Sequence, residues 1–115
     1  MTGEDRQRDP LGLSSEPAAP KHALDLALRY GMRYSSLREI ELDPRLLIYV
    51  PLDVCEREKV VPVTVAGDVL EIATAFPEPD LELIQQRFPA LAIELVFAPA
   101  RRIDELHAEL REAVR

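Results

Sequence analysis

The chain has no tryptophan, one cysteine, two histidines and four glycines in 115 residues. Each scarcity excludes something. A lone Cys55 makes no internal disulfide, so nothing points to an oxidised, secreted scaffold. One Cys and two isolated His residues, His22 and His107, are too few for a zinc site within the chain, and no metal is expected. The four glycines are far apart and none precedes a lysine, which excludes a phosphate-binding P-loop. No apolar run approaches the roughly 20 residues that span a bilayer, so no direct membrane insertion is expected. Met1 to Asp9 is charged and has no apolar core of the kind a signal peptide needs. Basic runs are also missing. The densest spot, Arg101-Arg102, is followed at once by Asp104 and Glu105.

What is present is acidic and globular. There are 21 acidic and 14 basic residues, a formal charge of −7, which repels nucleic acid and anionic surfaces. Hydrophobic residues make up 47%, enough for one domain with one core. Residues 1–20 carry Pro10, Pro17 and Pro20 among Ser14, Ser15, Gly12 and many charges, and read as a disordered tail. The domain is expected over 21–115.

Helical spacing of Leu24, Ala27 and Leu28, with Gly31 after them, predicts a helix over 21–30. Residues 32–42 read as an irregular connector. Asp43-Pro44 is a helix start, since Asp caps free N–H groups and Pro fits the first turn. That helix should stop at Pro51, and a short second one should run over 51–58. The period then changes to two. Val60–Val65 and Val69–Ala75, joined at Ala66-Gly67-Asp68, predict a hairpin, with Pro62 marking an edge strand. Leu81, Ile84 and Phe88 predict a helix that Pro89 closes. Ala92–Ala98 alternates as a third strand, parallel to the second. Pro99 opens a last helix buried through Ile103, Leu106 and Leu110. The expected fold is α+β: a two-layer domain, a three-stranded sheet with helices over one face, in the order α-α-α-β-β-α-β-α.

No catalytic constellation is placed by this order. Cys55 reads as a buried structural thiol. His22 and His107 read as surface residues without an orienting partner. The segment Phe76-Pro77-Glu78-Pro79 reads as a turn with Phe76 as a core plug, or alternatively as a docking loop. Arg29, Arg33 and Arg38 lie close to Tyr30 and Tyr34, and such a set can stack a base and hold a phosphate. No cofactor is expected, and the chain reads as a binding domain rather than an enzyme.

One stretch is more specific. Leu37-x-x-Ile40-x-Leu42-Asp43-Pro44-x-Leu46-Leu47, then Pro51, then Val60-Val61-Pro62-Val63 and the strand Val69–Ala73, resembles the N-terminal domain of type II secretion and type IV pilus assembly ATPases. Arg87-Phe88 resembles that family's Arg-Phe pair, and the likeness covers roughly residues 22–113. It departs at Ala75-Phe76-Pro77, where the family often has Ala-Asp-Pro, and at Pro89-Ala90, where it has Thr-Gly. The resemblance implies a non-catalytic cytoplasmic domain that docks on a membrane-anchored platform protein or on the ATPase core, peripheral to the inner membrane through that partner. Related copies are appended to other proteins, including membrane glycosyltransferases. One branch of the family binds cyclic di-GMP through two consecutive segments. Only the end of the second has a counterpart here, in residues 23–31, with Arg29 at a Gln position. Docking implies an exposed apolar patch. Cyclic dinucleotide binding implies a basic, aromatic-lined groove around Arg29, Arg33 and Tyr34.

Overall fold

The computed structural model describes residues 20–115, and side chains from Ala23 onward. The expected tail, apart from Pro20, and the His22 side chain lie outside the described residues.

Helix α1 (Pro20–Tyr30) ends at Gly31, whose φ of +65° is cheap only for glycine. A short strand β1 (Arg33–Tyr34) follows. A 3-10 helix (Pro44–Ile48) is capped by Asp43, whose Oδ1 accepts from the Arg45 N–H at 2.9 Å. Arg45 also hydrogen-bonds the Asp43 carboxyl and holds it below the usual carboxylate range. Helix α2 (Leu52–Glu58) starts after Pro51 and stops at Lys59, a left-handed residue with φ 57°. Strands β2 (Val60–Ala66) and β3 (Val69–Thr74) form the expected hairpin through Gly67. Helix α3 (Glu82–Arg87), strand β4 (Ala92–Phe97) and helix α4 (Ala100–Ala113) complete the chain.

The α+β class holds, but the sheet has four strands rather than three, ordered β1-β4-β3-β2. β4 is parallel to β3, as expected, and β2 lies antiparallel at one edge, where Pro62 belongs. The added strand came out of the supposed connector: Arg33 pairs with Val96 and Tyr34 with Phe97. Two residues show no period, so only pairing at long range makes them a strand.

Strand alternation divides the core in two. Val61, Ala73 and Val96 share a row and pack with Ile103, Leu106 and Leu110 of α4. Val60, Leu70 and Ile72 pack on the other face with Leu81 and Ile84 around α3 and with Val54 and Cys55 of α2. Helices therefore close both faces, where one covered face was expected.

Four side chains sit differently from expectation. His107 is buried, 4% exposed, because it extends the stripe of Ile103, Leu106 and Leu110 at helical spacing. Its Nε2 lies 2.8 Å from the Val60 carbonyl oxygen. Phe76 is not a core plug but 48% exposed. Thr74 Oγ1 donates to the Phe76 carbonyl at 2.7 Å and accepts from its N–H at 3.1 Å, which turns the backbone and leaves the ring outside. On α1, Ala23 and Ala27 are buried, while Leu24 and Leu28 face outward.

Candidate functional site

The five residues singled out for ligand contact all follow from the end of α1. The Met32 N–H reaches back to the Ala27 carbonyl at 2.8 Å, closing the helix and turning the chain into β1. Successive strand residues point to opposite faces, so Arg33 and Tyr34 are separated by the sheet. Arg33 shares a row with Val96, and its guanidinium pairs with Glu71 and, at 3.3 Å, with Glu94. Tyr34 shares a row with Phe97. The Tyr30 ring sits 6.3 Å from the Phe97 ring, tilted by 48°. Tyr30 and Tyr34 are thus brought together around Phe97, and Arg33 lies on the other side. Arg29 and Arg38 are exposed.

Around Arg38 the chain makes two hydroxyl turns. Ser35 Oγ accepts from the Leu37 N–H at 3.2 Å and Ser36 Oγ from the Arg38 N–H at 3.3 Å. They hold Leu37 buried at φ 53°, a conformation that costs a branched side chain about 1–2 kcal/mol. Arg102 Nε donates to the Leu37 carbonyl at 2.8 Å and fixes this loop to α4.

The titratable core groups are spoken for. Cys55 is fully buried, as expected, and its thiol lies 3.5 Å from the Val50 carbonyl. Burial, with smaller contributions from Glu56 and Asp53, pushes the thiol up to about 12, which keeps it protonated and unreactive. The proton of His107 sits on Nε2, because a carbonyl only accepts. Its Nδ1 is 4.0 Å from Asp104, beyond a hydrogen bond. Among the described residues no group of three His, Cys, Asp or Glu side chains is arranged to hold a metal. A cleft of about 190 Å³ opens between α2 and α3, lined by Val54, Arg57, Asp80, Leu81, Ile84 and Gln86. It is below the roughly 300 Å³ at which small-molecule pockets begin.

α1 presents apolar side chains to solvent beside the charged Asp25 and Arg29. Leu24 and Leu28, one turn apart, are 43% and 74% exposed.

The profile of the MshEN domain family matches residues 30–114, nearly all of the described chain beyond α1. The chain belongs to the MshEN domain family. This MshEN domain bears out the resemblance carried by Leu37 to Val63, to the N-terminal domains of type II secretion and type IV pilus assembly ATPases. Its fold is similar to that in the structure of MshE with cdg, with a TM-score of 0.67 and 22% identity over 80% of this chain and 68% of that one. It is also similar to the N-terminal domain of XpsE, with a TM-score of 0.60 and 20% identity over 76% of this chain and 63% of that one. No curated protein matches the sequence.

Two features were readable beforehand and were missed. His107 stands at i+4 from Ile103 and i−3 from Leu110, a core position in any amphipathic helix. The outward leucines of α1 had a weaker signal: Ala23 and Ala27, also one turn apart, mark a face narrow enough for close packing.

Proposed function

We propose that this MshEN domain is a non-catalytic docking and regulatory module that couples a motor or a membrane-anchored machine to a partner. The observation that carries it is the outward pair Leu24 and Leu28 on α1. Apolar side chains grouped on one helix face gain about 25 cal/mol per Å² when a partner covers them. The partner that fits this reading is a platform protein at the inner membrane or the ATPase core, with the domain on the cytoplasmic side. Among the described residues no helix is long and apolar enough to cross a membrane, and in this reading attachment is through the partner. The protonated Cys55 and the occupied His107 support a role without catalysis.

The test is titration calorimetry of this domain with the cytoplasmic segment of the platform protein and, separately, with the ATPase core. Leu24→Asp with Leu28→Asp should keep the circular dichroism spectrum and weaken one of the two complexes at least about ten-fold, or 1.4 kcal/mol. Unchanged affinity for both partners in the double variant would sink the reading.

Cyclic dinucleotide binding is the second reading, favoured by one observation: the similar MshE chain was solved with cdg, here taken as cyclic di-GMP. The groove expected around Arg29, Arg33 and Tyr34 is split by the sheet, which counts against this reading; the side chains left to such a ligand are Arg29, Tyr30, Tyr34 and Arg38, with Arg33 engaged by Glu71 and Glu94. Amide NMR shifts at 29–38 saturating at micromolar cyclic di-GMP would establish it. An unchanged spectrum near millimolar ligand, where binding is worth about 4 kcal/mol, would remove it.

A further inference from the structure

The two edges of the sheet are finished differently. At the β2 edge, three devices stop another strand from adding. The Val60 carbonyl is taken by His107 at 2.8 Å. Pro62 has no N–H to offer. The register slips between Pro62 and Thr64, leaving Val63 as a bulge. The opposite edge has as its only strand among the described residues β1, two residues long, beside Val96 and Phe97, with α1 packed against β4 nearby.

Backbone alternation fixes what the rest of β4 presents there. The Ala92 N–H goes to the Asp68 carbonyl at 2.7 Å and the Ala98 N–H to the Thr74 carbonyl at 3.0 Å, so even-numbered residues address β3. The Ser35 N–H goes to the Phe97 carbonyl at 2.8 Å, so odd-numbered residues address β1. Ahead of β1, the Ile93 N–H, the Ile93 carbonyl and the Leu95 N–H therefore point to an edge with no strand beside it among the described residues. A donor, an acceptor and a donor at strand spacing are complementary to one thing, an extended backbone.

We propose that Ala92–Leu95 is a strand-addition site, filled by an extended segment of a partner protein in line with β1. The inference rests on the docking reading above and adds a second contact surface to it. The chemistry of the segment follows from the side chains beside the gap. Ile93 and Leu95 are half-buried on one face and favour apolar neighbours. On the other face Arg33 serves both Glu71 and Glu94, which leaves one carboxylate in excess. The segment accordingly alternates apolar residues with Lys or Arg, the basic ones flanking Glu94. A second copy of this edge is a poor occupant, because Ala92–Leu95 contains a Glu and no basic residue.

The probe is a synthetic, end-capped Thr-Val-Lys-Val-Lys-Val-Thr peptide, followed by amide NMR and hydrogen exchange on the whole chain. In the chain without peptide, the Ile93 and Leu95 amides should exchange at least about ten-fold faster than those of Glu94 and Val96, and peptide should slow them. Ile93→Pro deletes the outward donor and also shortens a half-buried side chain. It should keep the circular dichroism spectrum and weaken peptide binding about ten-fold, a loss of 1.4 kcal/mol. Glu94→Lys, which leaves the backbone alone, should weaken it as much and covers the case in which Ile93→Pro does not fold. Equal protection of the four amides, peptide shifts centred on Leu24 and Leu28, no binding at millimolar peptide, or full affinity in Glu94→Lys would each overturn the strand-addition site. The docking reading would survive all four results, since the platform and ATPase-core titrations decide it independently.

Discussion

Replacing His107 by leucine keeps the volume of the site close to native and removes one donor. The imidazole is 4% exposed, and Val60, whose carbonyl it serves, is fully buried. Because β2 is an edge strand, that carbonyl points away from β3 and has no ladder partner: the neighbouring Lys59 carbonyl, not Val60, takes the Ala75 N–H at 3.1 Å. Leucine leaves it desolvated and unpaired, a penalty of about 1–3 kcal/mol. Asp104 is too far from Nδ1 to add a directional term. For a domain of this size about 1 kcal/mol lowers the melting temperature by about 4–8 °C, so His107→Leu should melt about 4–24 °C lower. His107→Gln, which keeps a donor near the same position, should recover part of the loss. Urea denaturation followed by circular dichroism, with an unchanged m-value, checks both. A His107→Leu variant within about 0.5 kcal/mol of the parent, or a Gln variant no better than Leu, would refute the assignment of this stability to the Val60 hydrogen bond.

Ile103→Ala should destabilise by about 2–5 kcal/mol in the same assay, since Ile103 is fully buried between α4 and the Val61, Ala73 and Val96 row. Cys55 should resist a thiol reagent in the native domain at pH 8 and react on unfolding. Its thiol is held up at about 12 in the fold against an ordinary 9.0, so the protonated form is the one the fold keeps. The stability it contributes is complete below pH 9 and is lost as pH rises from there toward 12. Cys55→Ala should remove that alkaline loss from a series of melts. Glu58 has the opposite sign. The Asp80 N–H and Arg57 hold its carboxyl below the usual range, so its contribution is present above that range and lost as pH falls through the lowered value. Glu58→Gln should flatten the acid limb of the stability profile.

Local chemistry was legible wherever neighbours in sequence are neighbours in space. The hairpin around Gly67, the Asp43-Pro44 start, the stop at Gly31 and the edge position of Pro62 each depend on a few consecutive residues. β1 was not legible, because Arg33 and Tyr34 become a strand only by meeting Val96 and Phe97 from the far end of the chain. His107 was misjudged by residue type although its spacing was that of a core residue. Phe76 shows the converse: a large apolar residue kept outside by a threonine turn. At the candidate site, the residues Arg29 to Arg38 were found by composition. Their division by the sheet needed the register, which composition does not carry.

The late position of Val96 in the chain has a consequence for the order of assembly. The β2–β3 hairpin closes over a short turn, and β4 joins β3 after one helix. β1 must wait for both, because it closes a long loop for only two pairs, and closure entropy grows with the span. In reverse, β1 and the helix ahead of it form the unit that opens first, while the hairpin and α4 remain folded. The helix that carries Leu24 and Leu28 joins the sheet through this seam and through its own packing against β4. Its release would uncover Ala23 and Ala27 and part Tyr30 from Phe97, while leaving the hairpin and α4 in place, which gives a docking event at that helix a way to be felt mechanically without unfolding the domain.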